Sequence, residues 1–165
     1  MLKTVGIAQK DDLIEVMPSL QRLKQGPVAI FECFQPIPCN PCENSCPKNA
    51  VVIGEDINNI PFVDHDKCNG CSKCVSVCPG LAVFLIDLSK DKGNVTLPYE
   101  FCPLPKKGEE VYGLDRSGKI VEICTVTNIR TAKSLNSTTL LSIETSKDKV
   151  NEIRFIKLKE ENNER

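Results

Sequence analysis

Ten cysteines stand in a chain of 165 residues, and eight of them fall between positions 33 and 78. Such clustering marks a module with its own chemistry. In a small secreted chain an even cysteine count reads as a disulfide framework. The opening residues MLKTVGIAQKDDLIEV lack the long apolar core of a secretory signal, however. No run of about 18 apolar residues marks a membrane span either. The expectation is a cytoplasmic chain without direct membrane insertion, where clustered cysteines bind metal more often than they form disulfides. With 21 basic and 22 acidic residues, the chain also lacks the basic excess of a nucleic-acid binder. Charge is uneven along it: residues 1–30 carry a net of +1, residues 31–88 a net of −4 and residues 89–165 a net of +2.

The spacing narrows the metal. Cys68-x2-Cys71-x2-Cys74-x3-Cys78-Pro79 is preceded by a partial copy, Cys39-x2-Cys42-x3-Cys46-Pro47. Each copy leads into an apolar run, Ala50 to Ile53 and Leu81 to Ile86. The unit of strand, cysteine loop, short helix and strand occurs twice, and such a duplication outranks other clues to the fold. Cysteines at every third residue place three thiolates around one corner of a [4Fe–4S] cube, and the fourth comes from elsewhere in the chain. A pair of structural zinc knuckles is the competing reading. Zinc needs neither the third cysteine at this spacing nor the proline after the fourth. Gly70 relieves crowding where backbone wraps a cluster, and the prolines bend the chain away from it.

Residues 28–88 resemble the two-cluster bacterial-type ferredoxins. The resemblance implies a pseudo-twofold fold with crossed ligation: Cys46, Cys68, Cys71 and Cys74 on one [4Fe–4S] cluster, and Cys39, Cys42 and Cys78 on the other. The regular pattern would put the remaining ligand at position 36, which is Pro36. Cys33 lies three residues earlier and is the candidate for the vacancy. A [3Fe–4S] cluster, a non-cysteine ligand and Cys102 are the alternatives.

The flanks extend beyond a ferredoxin. Residues 1–27 read as an N-terminal arm, helical over 11–25, capped by Asp11 or Asp12, with Leu13, Ile14 and Met17 on one face and a break at Pro18. Residues 89–165 carry β-like runs: Val95–Leu97, Glu110–Leu114, Ile120–Val126, Thr138–Ile143 and Ile153–Leu158. These suggest a small all-β barrel-like domain ending in a charged, frayed terminus. The fold class expected is α+β, with a two-cluster ferredoxin-like module between the arm and the β domain. His65 reads as a solvated turn residue, and Cys102 and Cys124 as buried free thiols. No P-loop, G-x-G-x-x-G or nucleophile–base set is present.

A second resemblance covers residues 18–130. Gly26 to Cys33, Ile37 to Glu43, Pro79 to Phe84, Val95 to Phe101 and Gly108 to Val111 are similar to the small iron–sulfur subunit of multisubunit flavin-dependent dehydrogenases. Those enzymes oxidise proline, hydroxyproline, sarcosine or related secondary amines. The resemblance implies Cys33 as a ligand. It also implies flavoprotein partner subunits carrying FAD or FMN, and a role for this chain in relaying electrons rather than in catalysis. The proline-rich strip Leu97 to Pro105 is then a candidate docking element. A free-standing ferredoxin with an extra β domain and an iron–sulfur sensor are the other classes in play.

Overall fold

The computed structural model describes residues 2–131 and 138–159. The expected helical lead-in is three short helices, α1 (Leu2–Val5), α2 (Lys10–Ile14) and α3 (Leu20–Leu23), interrupted around Pro18. The cap of α2 is Gln9 rather than Asp11 or Asp12, and the Gln9 N–H donates to Asp12 Oδ2 at 2.8 Å. Ile14 and Leu20 are exposed, while Met17 and Leu23 turn inward. Helices this short have too few turns to bury a whole apolar stripe. Ser19 caps α3 by accepting from the Arg22 N–H.

The cysteine-rich stretch is two copies of one unit. Strand β1 (Val28–Phe31), helix α4 (Pro41–Ser45) and strand β2 (Val51–Val52) are followed by β3 (Phe62–Val63), α5 (Lys73–Val77) and β4 (Val83–Asp87). The second copy follows the first at an offset of 32 residues, Pro41 to Lys73 and Cys46 to Cys78. The backbone repeats at that offset. Both helices end on a cysteine with ψ of 110°, and three residues later Asn49 and Leu81 adopt positive φ of 48° and 51°. The chain ends pair crosswise, β1 with β4 and β2 with β3, both antiparallel.

The C-terminal runs form β5 (Gly93–Tyr99), β6 (Glu110–Leu114), β7 (Ile120–Arg130), β8 (Thr139–Thr145) and β9 (Phe155–Leu158). They join one antiparallel sheet of seven strands in the order β1-β4-β5-β8-β7-β6-β9. The ladder runs straight through residue 88, because a short turn folds β5 back onto β4. Among the described residues, the barrel-like closure expected of the last strands is absent as a ladder: β1 and β9 are the two edges of the sheet. The sheet nevertheless curls, since Val28 and Ile30 of β1 share a core with Val111 of β6 and Ile156 of β9.

Strands β1 and β4 are buried on both faces, which is why their sequences are continuous apolar runs rather than alternating ones. Val28, Ile30, Phe84 and Ile86 face the core built with the C-terminal strands. Ala29, Phe31, Val83 and Leu85 face a second core with Val51, Ile53, Val75 and the buried Cys42 and Cys74. Cys124 is buried in β7, and Gly113 of β6 lies under it. A Cβ at position 113 would sit 2.7 Å from Cys124 Sγ and 2.8 Å from Ile153 Cδ1. Gly113→Ala is therefore expected to destabilise the protein by about 1–3 kcal/mol through overpacking. Chemical denaturation of the two proteins measures this as a lowered midpoint with unchanged slope.

Candidate cluster-binding sites

Eight cysteines form two rings on the face of β1 and β4 that carries the second core. Cys46, Cys68, Cys71 and Cys74 line one cavity together with Ala29, Ala50, Val51 and Leu85. Cys33, Cys39, Cys42 and Cys78 line another, walled by Phe31, Ile37, Pro41, Pro79 and Val83. The second is the roomier, at about 240 Å³ against about 10 Å³ for the first. Each ring takes three cysteines from one copy of the repeat and one from the other. Mutual thiolate repulsion follows much the same grouping. It links Cys33 with Cys78 and Cys39, and Cys42 with the same two, while Cys74 feels Cys68, Cys71, Cys46 and, least, Cys42. All eight are free thiols.

Local backbone geometry aims donors at the sulfurs. The left-handed Asn49 and Leu81 turn the following amides back, so Ala50 N–H donates to Cys46 Sγ at 3.3 Å and Ala82 N–H to Cys78 Sγ at 3.4 Å. Ala29 N–H of β1 donates to Cys68 Sγ at 3.4 Å. Burial opposes ionisation of Cys46, but the N–H groups of Ala50, Lys48, Val51 and Asn49 outweigh it and hold its pKa below the ordinary thiol value. Burial pushes Cys42 up to about 11 and Cys74 higher still. Burial, then Cys78 and Cys39, raise Cys33 against the N–H of Gln35. Anything bound as thiolate by these rings must therefore displace protons held tightly by the buried members.

The donor set fits an iron–sulfur cluster. Four thiols surround each cavity, amide donors point at sulfur, and the walls are largely apolar. A single zinc ion would require sulfurs within about 2.3 Å of one point. Among the described residues no group of three or more Cys, His, Asp or Glu side chains is arranged to hold a single metal ion.

Cys102 is exposed rather than buried, because it precedes Pro103 in a surface loop, and it lines neither ring. Cys124 is buried as expected. His65 is less solvated than its sequence suggests. Its Nε2 is buried without a partner among the described residues, and burial first, then the Arg22 charge, lowers its pKa against Asp64 and Asp66.

Three arginine systems went unnoticed in the sequence. Arg22 of α3 is buried and donates to the carbonyls of Cys68 (2.6 Å), His65 (2.7 Å), Gly26 (3.1 Å) and Pro27 (3.3 Å). Glu32, next to Cys33, accepts from Arg116 at 2.5 and 2.7 Å and from Arg154 Nε at 2.5 Å. Arg130 at the end of β7 also donates to Ser72 Oγ, beside Cys71. These partners lie between 43 and 122 positions apart, with the exception of the local Gly26 and Pro27 bonds, so no local pattern reveals them. An arginine between Leu20 and Leu23 of one short helix, as Arg22 is, was the one available hint.

Residues 37–82 match the 4Fe-4S dicluster domain. The chain is 36% identical over 58 residues to the ferredoxin-type protein NapF of Haemophilus influenzae, covering 34% of this chain and 33% of that protein. It is 47% identical over 45 residues to one of the subunits of the Na(+)-translocating ferredoxin:NAD(+) oxidoreductase complex of Acetobacterium woodii, covering 27% and 13%. It is 36% identical over 62 residues to the polyferredoxin-like subunit of the aliphatic sulfonate oxidoreductase of Pyrococcus furiosus, covering 32% and 35%. The chain thus contains a ferredoxin-type 4Fe-4S domain, and its relatives include iron–sulfur subunits of several oxidoreductases. It spans about a third or less of the length of these curated relatives. No solved structure matches it.

Gly70 holds the loop of the first ring against Pro27, just before β1, at a φ of 67°, and a Cβ there would lie 2.5 Å from the Pro27 carbonyl oxygen. Gly70→Ala must shift the backbone that carries Cys68 and Cys71. The expected outcome is loss of about half the protein-bound iron while the other half is retained, read by iron analysis of the anaerobically purified protein.

Proposed function

We propose that this chain is the iron–sulfur electron-transfer subunit of an oxidoreductase complex, with one [4Fe–4S] cluster in each ring of thiols. The observation that carries the reading is the presence of two separate cavities, each ringed by four cysteines drawn from both halves of the repeat. A bound cluster in each ring supplies one-electron redox chemistry. The chain's own residues hold the thiolates, direct the amides of Ala29, Ala50 and Ala82 at sulfur, and keep water out with Phe31, Val51, Val83 and Leu85. Cys33 rather than Cys102 completes the second set, in keeping with its position on that cavity.

The finer reading is a flavin-dependent dehydrogenase of proline, hydroxyproline or sarcosine-like amines, with FAD or FMN on partner flavoprotein subunits and none on this chain. The strings that resemble such subunits support it, and they fall on β1, the loop into α4 and its first residues, the loop into β4, β5 and the turn into β6. The strip proposed for docking is divided. Leu97 and Tyr99 are buried in β5, whereas Phe101 and Leu104 remain exposed to meet a partner. No helix among the described residues is long and apolar enough to cross a membrane.

Anaerobically purified protein is expected to hold about eight iron and eight acid-labile sulfide. Cys33→Ala should lower this to about four, and Cys102→Ala should leave it unchanged. Stoichiometric zinc in a colourless protein would sink the cluster reading. Retention of eight iron by Cys33→Ala, with loss in Cys102→Ala, would move the ligand to Cys102. A tagged chain should bring down flavin-containing subunits that reduce an artificial dye with one of these amines, and co-purification with no flavoprotein would remove the dehydrogenase reading.

A further inference from the structure

We infer that the Glu32–Arg116–Arg154 network is a positioning and charge-setting device for the cluster of the Cys33 ring alone. This rests on the two-cluster reading above. Glu32 directly follows β1 and precedes Cys33, the cysteine that stands outside the regular spacing. Five unpatterned residues, Phe34 to Pro38, separate Cys33 from Cys39, so the repeat itself does not hold Cys33 in place. The network does. Arg116, in the turn between β6 and β7, grips both Glu32 carboxylate oxygens, and Arg154, just before β9, grips one of them. Glu32 and Arg154 are almost fully buried, and Arg154 lies over the Phe84 ring at 5.2 Å.

The backbone of the same residue reaches a second thiol of the ring. Glu32 N–H donates to the Ala82 carbonyl at 2.8 Å, and Ala82 N–H donates to Cys78 Sγ. Two of the four thiols in this ring are thus tied to Glu32, one by sequence and one by hydrogen bonds. Two guanidinium groups on one carboxylate leave a net positive charge at this corner. A buried positive charge beside a cluster favours its reduced, more negative form, and charge is one of the means by which a protein sets a cluster's potential. The first ring has a different neighbour: Arg22 of α3 is bonded to carbonyls, Cys68 among them, and forms no ion pair among the described residues. The C-terminal strands also reach the first ring, through Arg130 on Ser72 Oγ, so what is particular to the Cys33 ring is the buried Glu32–Arg116–Arg154 ion pairing.

The test is a redox titration of the full-length protein followed by electron paramagnetic resonance, with Cys33→Ser used to identify the signal of its own ring. Arg116→Gln should move the midpoint of that cluster to a more negative potential and leave the other in place. Arg116→Lys, which keeps the charge without the two-pronged grip, should recover most of the shift. Arg22→Gln should move the other cluster only. Loss of about half the iron in Arg116→Gln, with the other signal intact, also supports the inference. Unchanged potentials with full iron, equal shifts of both clusters, or complete loss of iron in both Arg116 variants overturn it. Wild-type protein with fewer than two clusters overturns the functional reading itself, and this inference with it.

Discussion

Neither ring of thiols exists until the two halves of the repeat have met. Cys46 reaches the first ring from the first half, and Cys78 reaches the second from the second half, so each set of four spans the crossed β1–β4 and β2–β3 pairings. Everything that locks β1 against β4 consequently locks both rings. The pairing also brings together groups that repel. Burial first, and neighbouring thiolates after it, raise Cys42, Cys74 and Cys33 above the ordinary thiol range. Free energy from a bound metal centre offsets such crowding, because coordination replaces both the protons and the mutual repulsion. In the proposed holoprotein, folding and cluster binding are one equilibrium.

The arginines show how the flanking segments are committed to this centre. Breaking a buried pair by removing one partner costs about 3–5 kcal/mol, since the remaining charge is left uncompensated. Glu32 without Arg116 and Arg154 would be such a charge. Its desolvation opposes ionisation, and the two guanidiniums overcome that and hold its carboxyl below the usual range. Geometry of that quality between segments 84 and 122 residues apart requires the intervening sheet to be well ordered.

Much of the module was legible because its chemistry is local. The duplicated cysteine run implied one short helix in each half of the repeat, as α4 and α5 are, and the β-like run Glu110 to Leu114 became β6 with the same limits. What sequence patterns missed was non-local. The C-terminal runs read as a separate small barrel because each is short and bounded by turns. Nothing in them states that β5 returns to pair with β4. The exposure of Cys102 and the partial burial of His65 depend on neighbours far along the chain, as does the Glu32 network. The two-sided burial of β1 and β4 was visible in principle, since Val28-Ala29-Ile30-Phe31 has no polar alternation to mark a solvent face.

That two-sidedness explains why the chain does not end after the second cysteine motif. Val28, Ile30, Phe84 and Ile86 point away from the rings and are covered by the C-terminal strands. Each such side chain contributes about 1.5–3 kcal/mol on burial. Four of them amount to roughly 6–12 kcal/mol, as much as the whole stability of an ordinary domain. In a chain stopped near residue 88 that surface would lie open on the back of the sheet that presents the cysteines. The C-terminal strands are therefore first a wall for β1 and β4. The same strands carry Arg116 and Arg154 to the Cys33 corner, and they leave Phe101 and Leu104 exposed on the outer surface. One added layer thus covers the sheet, and in the proposed function it also supplies charge to the Cys33 ring and a surface for a partner, roles for which the covering of the sheet is a condition.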